Sequence, residues 1–246
     1  IYAAMVDQMD RNIGRVLADL KRHKEFENTL ILFTSDNGAC AEWDPNGFDI
    51  KSSNQNILFT GARMNEMGQR GTFHSVGSGW ANAANTPWRL YKHFNHEGGI
   101  ASPGIVHWPA GLKQPAGTIS HRPMHIIDIL PTFMKVAGAH LPIRDPYPGR
   151  SILTQLQSEP ERPRRLFFEH EGHRAVREGR WKLVAVAGKP WELYDLHVDR
   201  TELNNLAGQQ PARVRALSAA WDRWAKSNHV TPLPKDYNVG YLKKRD

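Results

Sequence analysis

The chain has 246 residues, of which 40% are hydrophobic and 23% charged, with a single cysteine and a formal net charge of +7. This composition supports a packed core of one large domain or one and a half ordinary ones. It excludes an intrachain disulfide and a cysteine-rich zinc site, and no apolar run is long enough to span a membrane. The basic balance is compatible with nucleic-acid binding, but no nucleic-acid-binding signature appears, so we expect no nucleic acid. A mild positive field that favours small anionic substrates is one interpretation of the charge, and ordinary solvated surface charge is the alternative.

The first predicted element is a helix over residues 2 to 23. Apolar side chains recur there at helical spacing, and charged side chains occupy the positions between them. A short loop then leads to a strand at residues 29 to 34, and this helix-to-strand unit is typical of a doubly wound α/β sheet. Because the chain begins without Met and inside the helix, we interpret it as a fragment or processed piece of a longer protein.

The predicted strand ends abruptly at Asp36, Asn37 and Gly38. Its apolar run without polar alternation predicts a buried parallel strand. Ligands of open α/β sheets gather at the carboxyl ends of strands. A carboxylate and an amide oxygen suit Ca²⁺ or Mg²⁺ better than Zn²⁺, although such an ion needs further ligands from elsewhere. Since Asn-Gly is also a common turn pair, a plain turn is the alternative interpretation.

Residues 39 to 80 show no periodicity, and a loop of this length in a compact domain is usually functional or disordered. Since it leaves directly from the Asp-Asn pair, we expect it to form a wall of the active site. Lys92 follows among aromatic and aliphatic neighbours, before a Gly-Gly pair. Its ammonium group could neutralise an anion beside a cation, and an ordinary surface lysine is the alternative.

The run of His93, His96 and Glu97 suggests a zinc motif at first sight. Its order, however, fits neither of the two common zinc-helix motifs, His-Glu-x-x-His and His-x-x-Glu-His. Gly98 and Gly99 also disfavour a continuing helix. We therefore do not predict zinc at this place.

A strand is predicted at residues 104 to 108, followed by a helix over residues 123 to 138. Gly138 is its expected C-cap, and Pro131 marks either a kink or the first turn of a new helix. Beyond it, the composition shifts towards Pro, Arg and Gln around residues 142 to 163, which predicts a domain boundary.

We place a larger domain at residues 1–155 and a smaller one at residues 156–246. The smaller domain contains four short strand-like runs separated by Gly and charged turns, as in an antiparallel meander. A helix near residues 212 to 226 is expected to cover one face, and an extended tail follows. Four histidines are expected to line a substrate cleft: His74, His96, His170 and His173.

Several linked motifs resemble those of the sulfatase family, and they follow one another in that family's order. They lie at residues 2–14, 34–38, 85–100, 103–109, 127–132, 179–183 and 192–196. The resemblance covers about residues 1 to 210 and is greatest to the bacterial arylsulfatases.

This resemblance implies an alkaline-phosphatase-like α/β sandwich with a smaller C-terminal domain of antiparallel sheet and helix. It also implies hydrolysis of small sulfate esters by a formylglycine nucleophile, made from Cys or Ser, with a calcium ion that binds the sulfate. Asp36 and Asn37 match the calcium-binding pair of the family. Lys92 matches the lysine that contacts the sulfate. A periplasmic or secreted location is expected on the same ground.

The chain departs from the family pattern at the nucleophile. Its single cysteine, Cys40, is followed by Ala-Glu-Trp and not by the modification motif. The family's paired aspartates and its upstream lysine and histidines are missing as well. We expect all of these in a missing N-terminal part of the same protein, and we expect the 246-residue chain alone to be inactive.

Two alternatives stay open. A phosphodiesterase or phosphonate monoester hydrolase of the same superfamily could use the same Asp-Asn pair with Mg²⁺ or Mn²⁺. A catalytically inactive binding protein could keep the fold without the chemistry.

Overall fold

The computed structural model describes residues 1–41, 47, 60–72, 74–140, 147–156 and 164–230. Its helices are α1 (Tyr2–Arg22), α2 (Gly77–Asn85), α3 (Glu97–Ile100), α4 (Ile129–Ala137), α5 (Leu153–Leu156) and α6 (Pro211–Ser227). Its strands are β1 (Ile31–Thr34), β2 (Gly104–His107), β3 (Arg165–His170), β4 (His173–Glu178), β5 (Trp181–Ala185) and β6 (Glu192–Asp195). No helix in these ranges combines the length and the apolar character that crossing a membrane requires.

The chain divides into two compact units. The first contains residues 1–11, 37–103 and 164–246, and the second contains residues 12–36 and 104–163. The division therefore passes through α1 and between Asp36 and Asn37. The predicted domains, residues 1–155 and 156–246, stay a prediction.

In the second unit, β1 pairs antiparallel with β2, and Ile31 lies opposite His107. The predicted strand is confirmed, but its predicted parallel pairing is wrong for this neighbour. Phe33 of β1 is also 44% exposed in the described structure. An uninterrupted apolar run indicates a strand with two apolar faces, but the run carries no information on the direction of the neighbouring strand.

The helix predicted over residues 123 to 138 is present as α4, preceded by a short 3-10 helix at Ile126–Asp128. At the start of this 3-10 helix, the Nδ1 of His125 accepts from the amide of Ile127, and the carboxylate of Asp128 accepts from the amide of His125. Pro131 lies in the first turn of α4, where a missing N–H costs nothing. Gly138 ends the helix with φ of 62°, as predicted.

The first unit contains the antiparallel meander β3-β4-β5-β6, in the predicted order. A cross-strand row of Phe167, Val176, Leu183 and Leu193 lies on one face of this sheet. The helix α6 covers that row, as predicted, and its apolar side chains pack into the same core: Val214, Leu217, Trp221 and Trp224. Because side chains alternate along a strand, Lys182 belongs to the opposite face.

The predicted loop over residues 39 to 80 is described in part. Residues 42–46, 48–59 and 73 lie outside the described residues, as does the predicted tail from residue 231. The described part contains a 3-10 helix at Gly61–Glu66 and the start of α2. Its role as a wall of the active site stays a prediction.

The helix α1 confirms the first predicted element, and none of its residues is buried. Its apolar stripe remains open to solvent, with Tyr2, Met5 and Val16 each at least 60% exposed. An exposed apolar stripe of this extent marks a surface that another polypeptide normally covers.

Candidate functional site

Asp36 and Asn37 lie in a bend that follows β1, and Lys92 lies between α2 and α3. Asp36 is exposed, whereas Asn37 and Lys92 are half-buried. The predicted convergence of these three side chains on one ion and its anion stays a prediction. The backbone around Asn37 and Lys92, however, is described in detail.

Two hydrogen bonds join the backbone after Asn37 to the backbone around Lys92. The amide of Gly38 donates to the carbonyl of Gly99 over 2.9 Å. The amide of Lys92 donates to the carbonyl of Ala39 over 3.0 Å. The segment that follows Asn37 therefore runs directly beside the residue predicted to contact the sulfate.

Asn85, the last residue of α2, connects these segments through its side chain. Its Oδ1 accepts from the amide of Ala39 over 3.0 Å. Its Nδ2 donates to the carbonyls of Leu90 and Gly98 over 2.9 and 2.8 Å. One carboxamide thus satisfies three backbone groups from three segments, and no shorter or apolar side chain offers that set of donors and acceptors.

Gly38 and Gly98 allow the same segments to approach closely. A Cβ atom on Gly38 would lie 1.7 Å from the carbonyl oxygen of Gly98, and a Cβ atom on Gly98 would lie 2.1 Å from that of Leu90. Neither Asn37 nor Gly38 has a positive φ. The glycine after Asn37 is therefore required by backbone contact and not by a left-handed turn.

A buried ion cluster fixes the start of α3 to the meander. Lys182, Glu97 and Glu202 are 0%, 2% and 1% exposed. The Nζ of Lys182 lies 2.9 Å from an oxygen of each carboxylate, and Glu202 also accepts from the backbone amide of Glu97 over 2.7 Å. Arg200 contacts Glu97 from the solvent side over 3.2 Å.

Burial alone would raise the pKa of Glu97, but the attraction of Lys182, Arg177 and Arg200 holds that pKa below its ordinary value. Glu97 is therefore charged at neutral pH. Such a charge survives in a dry environment only because its partners are in place.

A second polar cluster fixes the residues on either side of Lys92 to β6. Arg89 donates to Glu192 and to the hydroxyl of Tyr194, each over 2.9 Å. His96 also contacts the same Glu192 oxygen over 3.2 Å. Lys92 therefore lies on a short segment whose two ends are both attached to the same carboxylate.

The hydrogen bond from His96 lowers the pKa of Glu192 to about 2. Burial opposes that shift, while hydrogen bonding by Tyr194 and the charges of His96 and Arg89 add to it. Burial, together with the hydrogen bond to Glu192, raises the pKa of the Tyr194 hydroxyl above its ordinary value. Glu192 is thus ionised and Tyr194 neutral over the whole physiological range.

Three of the four predicted substrate-lining histidines lie in the same region. His96 and His173 are fully buried, whereas the side chain of His170 is 51% exposed. Burial, together with the neighbouring His96, His170 and His93, lowers the pKa of His173 to about 4. His173 is therefore neutral at physiological pH, with its Nδ1 accepting from the amide of Ala187 over 3.1 Å.

The three side chains of the His-x-x-His-Glu run each contact a different residue. His93 contacts Glu171, His96 contacts Glu192 and Glu97 contacts Lys182, so the three side chains have separate partners. His74 is half-buried just before α2. The roles assigned to the four histidines and to the Asp-Asn-Lys set stay predictions.

Sequence reasoning missed the side chains that hold this region together: Asn85, Arg89, Glu97, Lys182, Glu192 and Glu202. One signal was available in the sequence. Lys182 lies between Trp181 and Leu183 in a predicted strand whose other residues are apolar. A lysine in that position is almost never fully buried unless it is paired.

Two family models match the chain over ranges that overlap. A family model described as Sulfatase matches residues 1–139. A second model, described as N-sulphoglucosamine sulphohydrolase, C-terminal, matches residues 87–220. An uncharacterised sulfatase of Schizosaccharomyces pombe is 33% identical over 261 aligned residues, which cover 99% of this chain and 46% of that protein.

Two solved structures share the fold. One is BT4656 in complex with its substrate D-glucosamine-2-N,6-O-disulfate, which is 21% identical with a TM-score of 0.60. That match covers 94% of this chain and 41% of the BT4656 chain. The other is a phosphonate monoester hydrolase of Agrobacterium radiobacter, which is 22% identical with a TM-score of 0.56. That match covers 93% of this chain and 41% of the hydrolase chain. The expected alkaline-phosphatase-like fold is confirmed, and the chain spans less than half the length of these relatives.

The buried cluster predicts a large stability effect at Lys182. Replacing it by methionine, Lys182→Met, leaves two buried carboxylates without their cation and should lower the free energy of unfolding by about 3–5 kcal/mol. The exposed Lys189 of the β5–β6 turn provides the control, since Lys189→Met should change it by no more than about 0.5 kcal/mol. Urea denaturation of both variants measures the difference, and equal midpoints would contradict the cluster's role.

The lowered pKa of Glu192 predicts a pH dependence. Because the folded pKa lies near 2 and the ordinary value is 4.5, the stabilisation is complete above about pH 4.5 and is lost as the pH falls towards 2. Glu192→Gln should cost about 2 kcal/mol at pH 7, allowing for solvent screening at Arg89, and progressively less below pH 4.5.

Urea denaturation at several pH values from 7 down to 2.5 tests this dependence. Glu178→Gln, at an exposed pair with Arg165, is the matched control and should show a small difference at every pH. A Glu192→Gln effect that stays constant across this range would show that the carboxylate is not held ionised as described.

Proposed function

We propose that this chain, which belongs to the sulfatase family, supplies two calcium ligands and the sulfate-contacting lysine of a sulfuric ester hydrolase. The ligands are Asp36 and Asn37, and the lysine is Lys92. The observation that supports this proposal is the backbone pairing of Gly38 with Gly99 and of Ala39 with Lys92. These two hydrogen bonds bring the segment after Asn37 beside the segment of the lysine.

The donor set fits a hard divalent cation. Asp36 offers an exposed carboxylate and Asn37 a half-buried amide oxygen, and such oxygen ligands suit Ca²⁺. A bound calcium ion would act as a Lewis acid and a template for the sulfate oxygens. Since Ca²⁺ takes about six to eight oxygen ligands, we propose that the remaining ones come from the N-terminal part of the same protein.

Lys92 contributes a positive charge with three hydrogen-bond donors. Hydrolysis of a sulfate ester spreads negative charge over the equatorial and leaving oxygens in the transition state. A fixed ammonium group aimed at those oxygens stabilises that state more than the ground state. Attachment of Arg89 and His96 to Glu192 holds the segment of Lys92 in place before the substrate arrives, which is the condition for such stabilisation.

The exposed stripe of α1 is consistent with a larger protein. We propose that the N-terminal part covers the apolar side chains of Tyr2, Met5 and Val16 and brings the formylglycine nucleophile, made from Cys or Ser, to the site. Cys40 lacks the modification motif, so the 246-residue chain alone should not turn over a sulfate ester. Export to the periplasm or to the outside of the cell is part of the same proposal.

A second candidate function is phosphonate monoester or phosphodiester hydrolysis. The likeness to the Agrobacterium phosphonate monoester hydrolase favours it, and the same Asp-Asn pair would then hold Mg²⁺ or Mn²⁺. A binding protein without catalysis is the third candidate, and it predicts anion binding without turnover even in the complete protein.

Titration of the 246-residue chain with Ca²⁺ tests the metal ligands. Asp36→Asn removes the only charged ligand of the pair and should weaken Ca²⁺ binding by about 10-fold or more, because affinity follows the charge of the ligands. Lys92→Ala should leave Ca²⁺ binding unchanged and remove Ca²⁺-dependent binding of inorganic sulfate. Isothermal titration calorimetry measures both, with Asp222→Asn on the exposed side of α6 as the control.

Equal Ca²⁺ affinity in Asp36→Asn and Asp222→Asn would contradict the assignment of the ligands. Stronger retention of phenylphosphonate with Mn²⁺ than of sulfate with Ca²⁺ would favour the second candidate. Turnover of p-nitrophenyl sulfate by the purified 246-residue chain would contradict the proposal that the nucleophile lies outside it.

A further inference from the structure

Three side chains with metal-binding atoms meet where the residue after Lys92 faces the β3–β4 turn. His93 Nδ1 lies 2.8 Å from a carboxylate oxygen of Glu171, and His170 Nε2 lies 3.9 Å from the same oxygen. The three ligand atoms all lie within 4.8 Å of one another. The imidazole rings of His93 and His170 are stacked, with their centroids 5.5 Å apart.

Both residues of the shortest contact have a left-handed backbone. His93 has φ of 83° and Glu171 has φ of 52°. Glu171 and Gly172 form the two-residue turn between β3 and β4, and both have positive φ, as in a type I′ hairpin. Such turns favour Asn, Asp or Gly at the first position, so glutamate there carries a conformational cost.

A cost of this kind persists only when surrounding interactions fix the residue, and such residues concentrate at functional sites. Here the two costly positions contact each other. The carboxylate of Glu171 therefore lies at a position whose backbone does not favour it, in contact with a second such position.

The cluster is partly open to solvent. The side chains of His93, Glu171 and His170 are 10%, 26% and 51% exposed, so an ion has a route in and a free side for water. On the inner side, His173 packs against Phe94, with ring centroids 4.8 Å apart, and the Nδ1 of His173 is occupied by the amide of Ala187.

We propose that His93, His170 and Glu171 bind a divalent transition-metal ion of the Zn²⁺ type, which fastens the β3–β4 turn to the segment that follows Lys92. Two imidazoles and one carboxylate, with an open fourth position, form a donor set typical of Zn²⁺. Metal–ligand bonds of about 2.0–2.2 Å place tetrahedral ligand atoms about 3.3–3.5 Å apart. The observed spacings of 2.8 and 3.9 Å need to change by about half an ångström to reach that value.

This site differs from the Asp36–Asn37 pair in its chemistry and does not depend on the proposed function. Imidazole ligands select Zn²⁺, Co²⁺, Ni²⁺ or Cu²⁺, whereas carboxylate and amide oxygens alone select Ca²⁺ or Mg²⁺. The two sites can therefore be titrated separately in one protein.

Titration of the metal-free, tag-free chain with Co²⁺ tests the site. We expect one equivalent of Co²⁺ to give the intense visible absorption of a four- or five-coordinate ion, and Zn²⁺ to displace it and raise the melting temperature. His170→Gln and Glu171→Asn should each weaken Co²⁺ binding by about 10-fold or more. Asparagine suits the first position of the turn, so Glu171→Asn is expected to fold.

His121→Gln, at an exposed histidine outside the cluster, is the matched control and should bind Co²⁺ like the unmodified chain. Ca²⁺ titration of the same variants should be unchanged. Equal Co²⁺ affinity in all three variants, or only the weak absorption of a six-coordinate ion, would overturn the proposal. Either result would leave the calcium assignment untouched, because that assignment is tested by Asp36→Asn.

Discussion

The structure of the first unit depends on the contact of Lys182 with Glu97 and Glu202. An ammonium group and two carboxylates that are removed from water can persist only when they are paired and hydrogen-bonded. The paired groups attach the start of α3 to β5, because the side chain of Glu97 accepts from Lys182. The backbone amide of Glu97 also donates to Glu202. The meander and α6 supply the rigid surface on which this contact is built.

Attachment of α3 has consequences along the preceding segment. Gly98 accepts from Asn85 and donates to the carbonyl of Arg89, and Arg89 in turn is fastened to Glu192. Lys92 lies between these attachments and shares a backbone hydrogen bond with Ala39. Lys92, the residue proposed to contact sulfate, thus lies on a segment held from both sides, which would lower the reorganisation that such a contact requires.

The elements with strong periodicity could be predicted from sequence. The meander alternates, α6 and α1 repeat every three to four residues, and Pro131 and Gly138 mark the two ends of α4. The helix α2 could not be predicted, because its Gly-, Ala- and Asn-rich sequence has no apolar stripe. The antiparallel neighbour of β1 and the partners of Lys182 could not be predicted from the sequence either, since they depend on contacts between residues far apart in the chain. Glu97 attracted attention for zinc, whereas its role is to bind a lysine 85 positions away.

Hydrogen–deuterium exchange at the backbone amides of Gly38 and Lys92 tests the central claim most directly. If the buried ion cluster fixes the segment of Lys92 beside Asn37, then Lys182→Met should remove the protection of both amides while the β3–β4 amides stay protected. Unchanged protection at Gly38 and Lys92 in a folded Lys182→Met variant would contradict the account, because the pairing of the two segments would then be independent of the cluster.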